Sequence, residues 1–222
     1  MDDMPTPRSR AALAGFLPFA VVSTLHVIAL AIGDELVSNP TKLMLMPLLA
    51  VGALWSARGR GIPLGFLLAA IGLSWLGDGA GTFFPDLPSL PMMLLWFGLA
   101  HLVYIWLFQR HRAVRRMPLW TFAYAAWWIA MLAVLWPHLG TLTWAVAGYG
   151  LVLGGTAASA ARCTPVIAAG GAFFLASDTL LAFRLFLPDA MPDWTSPLVM
   201  ITYCLGQGLI AAGVVTSRRR RG

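Results

Sequence analysis

Long stretches without a single charged side chain alternate, along this 222-residue chain, with short loops rich in Arg, Asp, Pro and Gly. Few folds accept such a pattern. Lipid offers no hydrogen bonds to the backbone, so a spanning segment must be a helix or part of a closed barrel, and these runs are too long and too little alternating for barrel strands. Only 11% of the residues are charged, against roughly 25% in an ordinary soluble domain. The chain therefore reads as an all-α integral membrane protein. No separate soluble domain fits anywhere, so residues 1–222 form a single membrane domain: a tail at 1–11, a helical bundle over 12–216 and a basic tail at 217–222.

Taking about 20 residues per crossing, the apolar runs predict about eight transmembrane helices, near 12–33, 42–57, 62–82, 91–109, 118–136, 141–161, 165–187 and 196–216. Loops fall at Asn39-Pro40, Arg58 to Gly61, Pro85 to Pro88, Arg110 to Arg116, Pro137-His138 and Pro188-Asp189. Arg8 and Arg10 ahead of an apolar stretch resemble a secretory signal, but the stretch continues to Ile32 without a small-residue cleavage site, so it is read as the first span. Under this count Arg8, Arg10, Arg58, Arg60, Arg110, Arg112, Arg115, Arg116, Arg162 and Arg218–Arg221 share one side, which is 13 of the 15 Lys and Arg residues. That side is expected to be cytoplasmic, with both termini there, in the inner (plasma) membrane if the cell is bacterial. Trp55, Trp106, Trp120, Trp136 and Trp194 fall near span ends, as an interfacial belt requires. The formal charge of +6 is thus a matter of orientation, and no nucleic-acid partner is expected.

A weak internal repeat runs through the chain. Pro63 leads to Gly77-Asp78 and Pro165 to Ser177-Asp178; Pro91 precedes His101 by ten residues and Pro197 precedes Gln207 by ten. The repeat predicts two parallel four-helix halves. At 1.5 Å per residue, Asp78 lies about 22 Å and Asp178 about 20 Å along their helices from the basic side, while His101 and Gln207 sit about 15 Å deep from the other.

Ionisable groups within spans are costly and mark function by default, which singles out Asp78, Asp178, His26, His101, Lys42 and Arg184. Tyr104 follows His101 by one turn and Tyr203 precedes Gln207 by one, so these groups are expected to face one polar cavity. Two carboxylates in such a place can divide labour, one donating a proton and the other stabilising cationic charge. The plainer alternative has the two aspartates tying helices together. His26 reads as packing, and Lys42 and Arg184 lie near enough to boundaries to extend to the interface. Met44, Met46, Met92, Met93 and Met131 read as ordinary lipid or helix contacts. Histidines at 26, 101, 111 and 138 form neither an i, i+4 pair nor a zinc-hydrolase motif, and no metal site is predicted. Cys163 and Cys204 offer neither a disulfide framework nor a thiolate cluster. A Gly-x-Gly-Asp protease element would need Gly where Trp75 stands, and no Gly-x-Ser-x-Gly elbow occurs.

Leu73-Ser-Trp-Leu-Gly-Asp78, Phe97-Gly-Leu-Ala-His101-Leu-Val-Tyr104 and Ser177-Asp178-Thr-Leu-Leu-Ala-Phe183, with Lys42 and Pro47 and with Tyr203 and Gln207, resemble the YhhN family of lysoplasmalogenase-like membrane proteins. The resemblance spans helices two to eight. It departs from the family pattern where Lys42 is followed by Leu43 and proline arrives only at Pro47. It implies hydrolysis of the vinyl ether bond of lysoplasmalogens, with a lysophospholipid substrate drawn from membrane lipid and no cofactor. Asp78 and Asp178 would be catalytic, and Lys42, His101, Tyr104, Tyr203 and Gln207 would bind or orient substrate and water. The alternative is a small-molecule or lipid transporter or binding protein using the same cavity.

Overall fold

The computed structural model describes residues 13–57, 59 and 61–217; Arg58, Arg60, the tail at 1–11 with Arg8 and Arg10, and all of the basic tail after Ser217, with Arg218–Arg221, lie outside the described residues. Among the described residues the chain is helical, with no strand. The main helices are α1 (Leu17–Ile32), α2 (Glu35–Ser56), α3 (Ile62–Asp78), α4 (Ser89–Leu107), α5 (Phe122–Leu135), α6 (Thr143–Ala160), α7 (Pro165–Phe186) and α8 (Thr195–Thr216). A single turn, Ala80–Phe83, follows α3, and a π-helical turn, Phe108–Arg112, continues α4. Five segments are long and apolar enough to cross a membrane: Glu35–Ser56, Ser89–Arg112, Leu119–His138, Pro165–Phe186 and Thr195–Thr216. Leu17–Ile32 and Ile62–Asp78 are shorter apolar helices.

The largest departure from the sequence reading is in α2. Asn39-Pro40 is not a loop: Asp34 caps the helix by accepting from the Val37 amide at 3.2 Å, and the helix runs through both Pro40 and Pro47. Lys42 is therefore well inside a helix and not at the start of one. Pro47 has a further effect. Lacking an N–H, it leaves the Leu43 carbonyl without its helical partner, and the Trp75 indole donates to that carbonyl at 2.9 Å. A proline in α2 thus creates the acceptor that ties α2 to α3.

Helix α3 also ends earlier than expected, at Asp78 and not near residue 82. Gly79 makes the break. A Cβ there would lie 2.3 Å from the Phe83 ring, and without it Phe83 folds back to within 4.7 Å of Trp75. Asp78 is left at a helix end held against α2.

The closest crossing joins α7 to α8. Gly170 and Gly206 face each other there, and a Cβ on Gly206 would come within 2.9 Å of the Phe174 amide nitrogen. Without a hydrophobic drive between helices in lipid, such small-residue contacts allow the backbones to pack by van der Waals attraction. Ser177 adds a bond across the same pair, donating to the Val199 carbonyl at 3.0 Å.

Backbone and arginine bonds close one end of the bundle. The amides of Val114 and Arg115 both donate to the Arg162 carbonyl, Arg115 Nε donates to Ala161 O at 2.8 Å, and Arg162 Nε returns a bond to Arg115 O. Arg112 donates to the Ser217 carbonyl at 3.2 Å. The basic residues of the α4–α5 and α6–α7 loops and the end of α8 accordingly share one face, as their spacing predicts. Cys163 is buried in the α6–α7 connection, where burial pushes its thiol up to about 12. Neither cysteine is in a disulfide.

Candidate functional site

Six polar side chains from five helices line one cavity: Lys42 of α2, Asp78 of α3, Tyr149 of α6, Ser177 and Asp178 of α7 and Tyr203 of α8. The remaining wall is mostly apolar and includes Leu94, Met131, Val146, Ala182 and Phe186. The cavity volume of about 120 Å³ gives room for several water molecules. Met93 and Met131 belong to this wall, so those two methionines do more than fill lipid or helix contacts.

The two carboxylates keep different company. Asp78 accepts one hydrogen bond, from the Tyr203 hydroxyl at 2.7 Å. Asp178 accepts from the Tyr149 hydroxyl on Oδ2, and His101 Nε2 stands 3.6 Å from the same oxygen. His101 is fully buried and the Asp178 side chain is 9% exposed. On its other edge, His101 Nδ1 lies 3.1 Å from Thr156 Oγ1, and the Thr156 hydroxyl donates to the Val152 carbonyl at 2.9 Å.

His101, Tyr104 and Gln207 do not line the cavity, contrary to expectation. Their side chains fill a layer beneath it, because α4 and α8 turn these positions toward the centre of the bundle. Tyr104 donates to Gln207 Oε1 at 2.6 Å, and Gln207 Nε2 donates to Ser74 Oγ at 3.1 Å. None of the three is accessible to solvent. The layer is closed by aromatic contacts around Phe174, one turn before Asp178, whose ring meets His101 at 4.7 Å and Tyr203 at 5.6 Å. His101 reaches the site from behind, through Asp178 and Tyr149.

Other candidates fall elsewhere. His26 is buried and pairs through Nδ1 with Thr41 at 3.0 Å, joining α1 to α2. Arg184 bonds Pro192 O at 3.1 Å and Thr195, bracing the α7–α8 connection. Among the described residues, no three of His, Cys, Asp and Glu converge where a metal ion would sit.

Tyr149 and Thr156 were absent from the sequence reading, and Ser74 entered it only within the stretch Leu73 to Asp78, without a role of its own. Tyr149 and Thr156 are seven residues apart, two turns on one face of α6, and both meet His101. The chain has only four tyrosines, and Tyr104, Tyr149 and Tyr203 are all in this region, so tyrosine scarcity was the available signal. Ser74 lies one turn before Asp78, a position that marks it only once the partner helix is known.

These features define an all-helical membrane protein with a buried two-carboxylate cavity. The chain belongs to the YhhN family, whose model matches residues 37–214, most of its length. No curated protein and no solved structure matches it.

Proposed function

We propose that this protein is a membrane hydrolase that cleaves the vinyl ether bond of lysoplasmalogens, releasing a fatty aldehyde and glycerophosphoethanolamine or glycerophosphocholine. The observation that carries the reading is the pair Asp78 and Asp178 lining one cavity whose remaining wall is mostly apolar. Vinyl ether hydrolysis begins with protonation of the β-carbon, which leaves an oxocarbenium ion for water to capture. Glycosidases manage a similar cation with two carboxylates. Here one aspartate is the general acid and the other stabilises the cation, helping to deprotonate the attacking water. Neither step calls for a metal or an organic cofactor.

The rest of the cavity suits such a substrate. Lys42 supplies positive charge for the phosphate of the headgroup, and Leu94, Met131 and Val146 offer an apolar wall to the alkenyl chain. In this reading the eight helices each cross the membrane and the arginine-rich face is cytoplasmic.

The test is aldehyde release from lysoplasmenylethanolamine by purified protein, compared with the Asp78→Asn and Asp178→Asn variants. Activity in the wild type and its loss in both folded variants is expected. Full activity in either variant would overturn the two-carboxylate mechanism, and liposome counterflow of an unchanged substrate would replace hydrolysis with transport.

A further inference from the structure

The geometry points to a proton wire, His101–Tyr149–Asp178, that makes Asp178 the general acid and Tyr149 the positioning residue that passes it a proton. The inference rests on the hydrolase reading and assigns the two carboxylates within it.

The argument is a count of protons. The Thr156 hydroxyl has one, which it gives to a backbone carbonyl, that of Val152 at 2.9 Å or that of His101 at 3.3 Å. With that proton on the Val152 carbonyl, whose 2.9 Å is shorter than the 3.1 Å to Nδ1, Thr156 Oγ1 accepts from His101 and Nδ1 carries a proton. Nε2 then faces two oxygens, Tyr149 Oη at 3.3 Å and Asp178 Oδ2 at 3.6 Å. Tyr149 also has one proton and cannot donate to both Asp178 and Nε2. Two arrangements satisfy every group with the same number of protons. In one, Nε2–H donates to Tyr149 Oη, Tyr149 donates to the Asp178 carboxylate, and His101 is a cation. In the other, Asp178 is a carboxylic acid donating to Tyr149 Oη, and Tyr149 donates to a bare Nε2. Passage between them moves two protons along two hydrogen bonds and creates no unpaired charge.

The wire balances through the reaction. A proton leaves Nε2 for Tyr149 Oη as the Tyr149 proton passes to Asp178 Oδ2. The carboxylic acid gives its proton to the β-carbon, the C=C π pair forms the new C–H bond, and the ether oxygen shares the positive charge. Water adds to the cationic carbon, and its surplus proton returns to the Asp178 carboxylate and through Tyr149 to His101. The hemiacetal then parts into aldehyde and alcohol with no net proton consumed. Asp78, to which Tyr203 donates, is left to stabilise the cation and help draw the attacking water into place, while the water's proton ends on Asp178, so the wire narrows the share of Asp78 in deprotonation. The other titratable groups around the wire are Asp78 on α3, Lys42 on α2, Tyr203 on α8 and Tyr104 on α4, the helix of His101 itself. None of them bonds to His101 or to Asp178 among the described residues.

The chain has four histidines, so ¹⁵N-histidine spectra of the purified full chain can report on His101 directly. The wild type is expected to have Nδ1 protonated and Nε2 at an averaged, partly protonated position. Asp178→Asn leaves Nε2 bare, and Tyr149→Phe, which cuts the wire, holds it protonated. Tyr149→Phe should also lower kcat by about tenfold or more with KM changed less than about twofold. A bare Nδ1 in the wild type, an Nε2 signal that ignores Asp178→Asn, or an undiminished kcat in Tyr149→Phe would overturn the wire. Should Tyr149→Phe not fold, the wild-type and Asp178→Asn spectra still decide. Spectra as expected with no aldehyde from any vinyl ether substrate would leave the wire standing and remove the hydrolase reading. Aldehyde release with uncoupled spectra would do the reverse.

Discussion

The two halves of the bundle make reciprocal contacts in the layer beneath the cavity and unlike ones at the cavity itself. Aligning Asp78 with Asp178 pairs Ser74 with Phe174, and aligning Pro91 with Pro197 pairs His101 with Gln207. The resulting contacts exchange the halves: Gln207 reaches back to Ser74 at 3.1 Å, and His101 reaches forward to Phe174 at 4.7 Å. The same alignment pairs Tyr203 with Phe97 and Gly206 with Ala100. Tyr203 bonds Asp78, whereas Phe97, though it lines the cavity, has no hydroxyl to offer Asp178. Tyr149 and His101 take that place instead. What distinguishes the halves is the set of groups that meets each carboxylate.

The comparison breaks first if the aspartates are unequal in importance. Asp78→Asn and Asp178→Asn should each lower aldehyde release by a factor of about 100 to 10,000; a large loss in one and none in the other would make the repeat a structural relic. Gly206→Ala gives the second half the residue of the first, and its Cβ would lie 2.9 Å from the Phe174 nitrogen. Because that neighbour is backbone and cannot swing aside, a loss of about 2 kcal/mol is expected in detergent denaturation. An unchanged midpoint would mean that the α7–α8 crossing is no closer than its counterpart needs. Tyr203→Phe likewise makes the halves alike, here by stripping Asp78 of its donor. The expected cost is about tenfold in kcat with little change in KM, and equal damage to both constants would point to substrate binding. The smallest effect concerns the layer beneath. Gln207→Leu leaves Tyr104 and Ser74 without their partner and should cost about 1 kcal/mol of stability, read from the same denaturation curves, with a smaller effect on kcat.

Much of this was legible in the chain itself. Long uncharged runs fix helices because lipid leaves the backbone no other partner, and the arginines mark one face because they cannot enter the apolar region. Depth arithmetic on Asp78 and Asp178 works for a similar reason: a helix advances by a constant rise, so residue numbers become distances. What escaped was whatever depends on rotation and on partners from other helices. Tyr104 and Gln207 were placed at a plausible depth but face each other and not the cavity. Asn39-Pro40 looked like a loop because proline ordinarily breaks a helix; it does not do so here because Asp34 caps the start and the helix tolerates the missing donors. Pro47 is the instructive case. Its effect is felt at Leu43, four residues back, and is completed by Trp75 on another helix, a chain of dependence that no local pattern announces.

The arginine and carbonyl bonds that join the α4–α5 loop to the α6–α7 loop have a mechanical meaning. They fasten the bundle at one end, whereas near the cavity α4, α5, α6 and α7 meet through apolar packing of Leu94, Met131, Leu135, Val146 and Phe186, and Arg184 braces the α7–α8 connection. One end of the bundle is thus held by directed hydrogen bonds, which depend on angle, and the end at the cavity by apolar contacts, which do not, so the two ends resist displacement by different means.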